Sequence, residues 1–155
     1  MRFLRIFIFL ICAFVMCQGA QADTILHDTN GGSIDVSTLK GKWVVLNYWA
    51  DWCDICMKET SELNNFYSHS QNKNIVLYGV NYDHMPLDEL KAAMARIHIS
   101  YPVIQEDPTQ VWPLEVVDVL PVTYIIDPRG KVVKRILGAS TEASLLAIIH
   151  QMKKA

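Results

Sequence analysis

The sequence is short of charge, of long apolar runs and of cysteine. Charged residues make up only 19% of the 155 residues and the formal net charge is −2. That composition excludes a disordered chain, and the lack of a basic excess means that no nucleic-acid partner is expected. After residue 22 no apolar run reaches the roughly 18 residues that a membrane-spanning helix needs, which excludes a polytopic membrane protein. With 51% apolar residues, the chain is predicted to form one small globular domain.

The N-terminal end has the features of a secretory signal. Arg2 and Arg5 precede an uncharged, apolar stretch over residues 6–17, and an Ala-x-Ala site follows at residues 20–22. We therefore predict a cleaved signal peptide over residues 1–22 and export to the periplasm.

Two alternatives to cleavage remain at the sequence level. The segment could stay in place as a membrane anchor with the domain facing the periplasm, in which case it would be the protein's only contact with the membrane. A lipoprotein modified at Cys17 is the other, although Val15 and Met16 are poor residues to precede a lipidated cysteine. In each case residues 23–155 form the folded domain.

Only two of the four cysteines, Cys53 and Cys56, lie after residue 22. A disulfide between residues three apart closes a loop too short to constrain the unfolded chain much, so a purely structural disulfide is disfavoured. A zinc site would need two more ligands at matching spacing, and there is no second cysteine pair. The C-x-x-C spacing therefore predicts redox chemistry without a metal or another cofactor.

The hydrophobic pattern predicts an α/β fold. A continuous β-rich apolar run over residues 43–50 is typical of a strand buried on both faces. The remaining predictions are a helix over 51–69, a strand over 75–81, a helix over 87–98, a strand over 101–105, a helical turn within 107–117, strands over 122–127 and 131–137, and a helix over 141–153. This order predicts a mixed sheet with helices on both faces.

The sequence W-A-D-W-C-D-I-C, residues 49–56, falls at a predicted strand-to-helix junction. A thiolate at a helix N-terminus is stabilised by free backbone N–H groups and by the helix dipole. Cysteines at positions i and i+3 can also close a disulfide with little backbone movement. We therefore predict that Cys53 is the attacking thiolate and that Cys56 resolves the mixed disulfide.

These motifs resemble those of the thioredoxin superfamily, and within it the exported thiol–disulfide oxidoreductases of the TlpA, ResA and CcmG type. Residues 49–56 resemble the family's W-x-x-W-C-x-x-C motif, and residues 119–133 resemble its cis-proline segment and following hairpin. Residues 83–117 match the place where the family inserts a helix and a strand between the two halves of the thioredoxin fold. The resemblance covers nearly all of residues 25–153 and implies a thioredoxin-like fold, a central mixed sheet flanked by helices.

The resemblance also implies roles for single residues. Pro121 would be the cis-proline packed against the disulfide, and Leu120 would contact the substrate backbone. Trp52, next to the nucleophile, is predicted to line the substrate groove. Glu59 matches the buried acidic residue of the ResA-type branch and shares a helix face with Cys56, so it is predicted to handle the proton of that thiol. The alternative is a glutamate at the edge of the apolar stripe that reaches solvent and pairs with a lysine.

The sequence departs from the family pattern at two places. The dipeptide between the cysteines is Asp54-Ile55, without the proline common there, and Asp54 is predicted to repel the thiolate and lower the reduction potential. Val122 and Thr123 stand where the CcmG-like branch has an acidic residue, which weakens an assignment to cytochrome c maturation. Asn47 stands where thioredoxin itself has a buried aspartate, which leaves Glu59 as the proton-handling group.

The expected function is disulfide exchange with client proteins through Cys53 and Cys56, as a reductase. The resemblance implies a membrane thiol reductant of the DsbD or CcdA type as electron donor. Since the direction of electron flow depends on potentials relative to partners, a periplasmic oxidase or isomerase is an alternative. A copper-delivery metallochaperone that uses His84 with the cysteines is an alternative from another class, although such proteins have a wider cysteine spacing.

Overall fold

The computed structural model describes residues 24–71 and 73–154, so the predicted signal peptide lies outside the described residues. In chain order the elements are β1 (Ile25–His27), β2 (Ser33–Asp35), a 3-10 helix (Val36–Leu39), β3 (Trp43–Trp49), α1 (Asp54–Ser70), β4 (Ile75–Asn81), α2 (Leu87–Arg96), β5 (Val103–Ile104), a second 3-10 helix (Pro108–Gln110), β6 (Val122–Ile126), β7 (Val132–Leu137) and α3 (Glu142–Lys153). Within the described ranges, no helix has the length and apolarity needed to cross a membrane.

The central sheet is mixed and has five strands in the order β5-β4-β3-β6-β7. β3 pairs in parallel with β4 and antiparallel with β6, while β4 and β5 are parallel and β6 and β7 are antiparallel. All seven residues of β3 are buried, because this strand has a neighbour on each side and both of its faces are covered. The predicted mixed α/β fold is confirmed, and the cysteine motif follows directly after the end of β3.

The two faces of the sheet are covered differently. Side chains of α1, α2 and α3 pack with Trp43, Val45 and Trp49, which share one face of β3. The cluster on the opposite face contains residues from β1, β2, the first 3-10 helix and the loop before β6: Leu26, Ile34, Leu39 and Trp112. The predicted sheet flanked by helices is confirmed, but in the described part of the chain the three α-helices lie on one face and the first 3-10 helix lies on the other. The strand order β3-β4-β5 follows the chain, and successive right-handed crossovers in one direction place their helices on the same face.

The β1–β2 hairpin is not predicted by the sequence, which indicates only a turn near residues 30–32. Each strand has three residues, too few to show a clear alternation. The turn is closed by the Asp28 carboxylate, whose Oδ1 accepts hydrogen bonds from the backbone N–H groups of Asn30 and Gly32 at 2.8 Å each. Gly31 adopts a φ of +82°, which favours glycine at this position.

Candidate active site

The cysteine pair lies where the chain leaves β3 and enters α1. Cys53 is the N-cap residue of α1 with extended backbone, and its Sγ accepts a hydrogen bond from the Cys56 backbone N–H at 3.2 Å. The two cysteines form a disulfide, with their Cα atoms 5.2 Å apart. Cys53 is 8% exposed and Cys56 only 2%. The more accessible sulfur is therefore also the one at the helix N-terminus, where a thiolate would be stabilised by the helix.

A groove of about 420 Å³ opens beside Cys53. One side is formed by the start of α1 and the loop before it, and the other by the segment that leads to Pro121; the lining residues are Trp52, Cys53, Asp54, Ile55, Tyr82, Asp118, Val119 and Leu120. Four of these are large apolar side chains that remain exposed: Trp52, Ile55, Tyr82 and Val119. Exposed apolar side chains grouped around a reactive sulfur are typical of a site that binds another chain.

The Trp52 side chain has a fixed orientation at the edge of this groove although it is 62% exposed. Its indole Nε1 donates a hydrogen bond to Asp83 Oδ2 at 2.9 Å, and its ring meets Tyr82 edge to face at a centroid distance of 6.3 Å. These contacts hold the indole ring in place, so its apolar face is presented to the groove at little further cost in side-chain entropy.

The Leu120–Pro121 peptide bond is cis, the isomer that the resemblance implies. Leu120 packs against the cluster that contains both cysteines and also lines the groove. Pro121 is buried, and its carbonyl oxygen accepts a hydrogen bond from the Gly138 backbone N–H at 2.9 Å. The structure thus brings together the cis-proline segment and the cysteine motif, which lie far apart in the sequence.

Glu59 is buried inside the protein, 2% exposed, and does not reach solvent. Its Oε1 accepts a hydrogen bond from Asn47 Nδ2 and its Oε2 accepts one from the Ser140 backbone N–H, both at 2.8 Å. Burial raises the pKa of Glu59 from 4.5 to about 6, and the two hydrogen bonds oppose that rise because they favour the charged form. The alternative of a solvent-facing glutamate paired with a lysine is therefore wrong.

Asn47 connects Glu59 to a wider buried polar network. Its Nδ2 also lies 3.2 Å from Thr123 Oγ1, and the Tyr101 hydroxyl donates to its Oδ1 at 3.5 Å. Burial and the neighbouring charge of Glu59 both raise the pKa of Tyr101. The Ser140 hydroxyl is buried beside Glu59 and has no hydrogen-bond partner among the described residues. No pattern in the sequence predicts that Tyr101, Thr123 and Ser140 belong to this network; its one sign in the sequence is an asparagine inside the otherwise apolar β3.

The remaining predicted residues lie near the site but outside this network. Asp54 is exposed in the first turn of α1 and lines the groove next to Cys53. His84 is exposed, with a φ of +49°. Over residues 24–71 and 73–154, no three His, Cys, Asp or Glu side chains are grouped so that they could hold a metal ion.

Comparison with known proteins agrees with this geometry. The model of the AhpC/TSA family matches residues 18–135. The chain is 36% identical over 141 residues to the thiol-disulfide oxidoreductase ResA of Bacillus subtilis, in a match that covers 88% of this chain and 76% of the relative. Among solved structures, a thioredoxin-family thiol:disulfide interchange protein from Chlorobium tepidum superposes with a TM-score of 0.69 at 22% identity, over 83% of this chain and 91% of the other. A putative protein disulfide isomerase from Bacteroides thetaiotaomicron gives a TM-score of 0.68 at 28% identity, over 86% and 87% of the two chains.

Proposed function

The chain belongs to the AhpC/TSA family and is a thiol–disulfide oxidoreductase, and we propose that it acts as an exported reductase of disulfides in client proteins. The observation that carries the proposal is the Cys53–Cys56 disulfide at the N-terminus of α1, with the more exposed sulfur at the edge of an apolar groove. A thiolate in this position is stabilised, and it is accessible to a sulfur of an incoming chain.

The exchange proceeds in two steps from the dithiol form. The Cys53 thiolate attacks one sulfur of the client disulfide, so a mixed disulfide forms and the client's other sulfur leaves as a thiolate. Cys56 then loses its proton and attacks the Cys53 sulfur, which closes the Cys53–Cys56 bond and releases the client's second sulfur. Two electrons have passed from the protein to the client.

Glu59 is proposed to accept the proton that Cys56 loses. It follows Cys56 by three residues on α1, so the two side chains lie on the same buried face of the helix. A carboxyl group with a pKa of about 6 is mostly ionised at neutral pH and can both take up and return a proton there. The hydrogen bonds from Asn47 and Ser140 keep its ionised form accessible despite burial.

The client segment is proposed to lie in the groove between Trp52 on one side and Leu120 and Pro121 on the other. Trp52 would supply an ordered apolar surface, and Leu120 would contact the client backbone next to the cysteines. Because Cys56 does not line the groove, a bound client meets only Cys53, which fits the division of roles between the two sulfurs.

Export and re-reduction complete the proposal. The signal features of residues 1–22 support a periplasmic location, either free or anchored to the membrane. In that compartment the pair would need an electron donor, and a membrane thiol reductant of the DsbD or CcdA type is the proposed partner.

The reduction potential of the Cys53–Cys56 pair tests the direction of electron flow. Equilibration with glutathione of known redox state, followed by alkylation and mass spectrometry, should give a value near that of thioredoxin, about −270 mV. A value near the roughly −120 mV of a strong oxidant would instead assign the protein as an oxidase. In cells that express the variants, Cys56→Ser should trap mixed disulfides with clients and Cys53→Ser should not.

A further inference from the structure

One wall of the groove is built from a segment without regular structure. Residues 113–120 are all described and form neither helix nor strand, yet Asp118, Val119 and Leu120 line the groove opposite the start of α1. Val116, in the middle of the segment, is 84% exposed. A stretch of this kind would be free to move unless side chains from the folded core held it in place.

Arg135, on the edge strand β7, provides three hydrogen bonds to this segment. Its Nη1 donates to Glu115 Oε2 at 3.3 Å, and its Nη2 donates to the Val116 carbonyl at 3.3 Å and to Asp118 Oδ1 at 2.5 Å. The planar guanidinium group can reach several acceptors at fixed angles, which a lysine ammonium group on its flexible stem cannot do as well.

Tyr124, on β6, holds the same segment from the neighbouring strand. It is the register partner of Arg135 in the β6–β7 pair, and its hydroxyl donates to the Glu115 carbonyl at 2.8 Å. Its buried ring is in turn fixed by an edge-to-face contact with Tyr48 at 5.8 Å. Leu114 and Val117 of the segment pack against the core, and Arg135 and Tyr124, neighbours on the sheet, add hydrogen bonds that fix its backbone at residues 115–118.

These contacts matter more for the position of the segment's backbone than for the stability that their ion pairs contribute. The side chains of Glu115 and Asp118 are both 72% exposed, and exposed ion pairs contribute little to the free energy of folding. The bonds to two main-chain carbonyls, by contrast, set the path of the backbone just before the groove wall and the cis-proline.

We propose that Arg135, supported by Tyr124, is a positioning residue for client binding, and that it fixes the groove wall at residues 118–120 opposite Trp52 and Ile55. This inference rests on the proposed function, because it concerns the groove assigned there to clients. A wall that is already ordered before the client arrives removes part of the entropy cost of binding. Arg135 does not touch the cysteines, so its removal should weaken client binding and leave sulfur chemistry unchanged.

The test uses the first exchange step alone, which both directions of electron flow share. In the Cys56→Ser background, Cys53 reacts with a ten-residue peptide whose single cysteine, flanked by apolar residues, is capped with thionitrobenzoate. The Cys53 thiolate attacks the peptide sulfur, the Cys53–peptide disulfide forms, and thionitrobenzoate leaves as a coloured thiolate. The rate is followed against peptide concentration for Arg135→Leu, Arg135→Lys and Tyr124→Phe. The matched control is Arg129→Leu, at the far turn of the same hairpin, where the arginine is 91% exposed.

In Arg135→Leu the peptide concentration for half-maximal rate should rise by about fivefold or more, with the maximal rate within twofold. Arg135→Lys and Tyr124→Phe should show smaller rises, and Arg129→Leu none. The reaction with the small disulfide DTNB should stay within about twofold in every variant. Unchanged half-saturation in both Arg135→Lys and Tyr124→Phe would overturn the inference, even if Arg135→Leu failed to fold. A DTNB rate that falls in Arg135→Leu by the same factor as the peptide reaction would also overturn it, since the substitution would then act at the cysteines and not on peptide binding. A reduction potential typical of an oxidase would contradict the reductase proposal and leave this result intact.

Discussion

Replacing Glu59 by glutamine removes a buried ionisable group and leaves a side chain of nearly the same size. At neutral pH the wild-type carboxylate is ionised in a site that burial makes unfavourable for charge, as its pKa of about 6 shows. The glutamine side chain would carry no charge and could not accept the proton of Cys56. We expect resolution of the mixed disulfide by Cys56 to slow by on the order of a hundredfold, within the range typical of a lost general base. The thiol titration curve should shift as well.

The same substitution has a stability signature whose sign can be worked out. The folded-state pKa of Glu59, about 6, lies above its ordinary value of 4.5. As the pH rises, Glu59 therefore ionises in the unfolded chain before it ionises in the folded protein. The stability that the neutral carboxyl group contributes below pH 4.5 is lost as the pH rises to about 6. A difference of about 1.5 pKa units corresponds to about 2 kcal/mol. Because glutamine does not titrate, the free energy of unfolding of Glu59→Gln, taken relative to wild type, should be about 2 kcal/mol higher at pH 7.5 than at pH 4.

Urea unfolding of the oxidised proteins at the two pH values measures this difference. Glutamine cannot accept hydrogen bonds from both Asn47 and Ser140 on its two terminal atoms, but that loss applies at both pH values and cancels in the comparison. Stopped-flow exchange with a peptide disulfide measures the rate of resolution. The role assigned to Glu59 would be refuted if the free energy of unfolding of Glu59→Gln differed from that of wild type by the same amount at both pH values and the variant exchanged disulfides at the wild-type rate.

Three further substitutions test neighbouring parts of the site. Asp54→Asn should raise the reduction potential, because it removes a negative charge next to the Cys53 thiolate; an equal or lower potential, measured by glutathione equilibration, would contradict this. Asn47→Leu removes a hydrogen bond to the ionised Glu59 and should raise its pKa by about one unit, which would be seen as an upward shift of the acidic limb of the pH–rate profile. Trp52→Ala should weaken binding of a client peptide by about tenfold with the reduction potential unchanged, and a matching change in potential would argue against a binding role.

The sequence predicts the strands of the central sheet well where they are buried on both faces. The apolar run at residues 43–50 corresponds to β3, Trp43–Trp49, and the strands predicted over residues 122–127 and 131–137 correspond to β6 and β7. The helix predicted from residue 51 begins instead at Asp54, because Cys53 takes the N-cap position with extended backbone. Periodicity reports the type of an element more reliably than its ends.

Periodicity also does not report strand order. Nothing in the apolar pattern says whether β4 and β5 continue outward from β3 in one direction, yet that order decides which face α1 and α2 cover. The opposite face is left to the β1–β2 hairpin and to Trp112 in the loop before β6, whose short or irregular stretches have no period to detect.

The candidate site divides in the same way between local and distant information. The cysteine motif and the helix face of Glu59 are local features, so spacing along one helix is enough to predict that Glu59 shares the buried face of that helix with Cys56. What sets its protonation is distant: Asn47 is 12 residues away and Ser140 is 81 residues away, and each donates a hydrogen bond to the carboxylate. Burial alone would raise the pKa further, and these two donors hold it at about 6. The sequence therefore predicts the position of the proposed proton acceptor, whereas the tertiary fold sets the pKa of its carboxyl group at about 6.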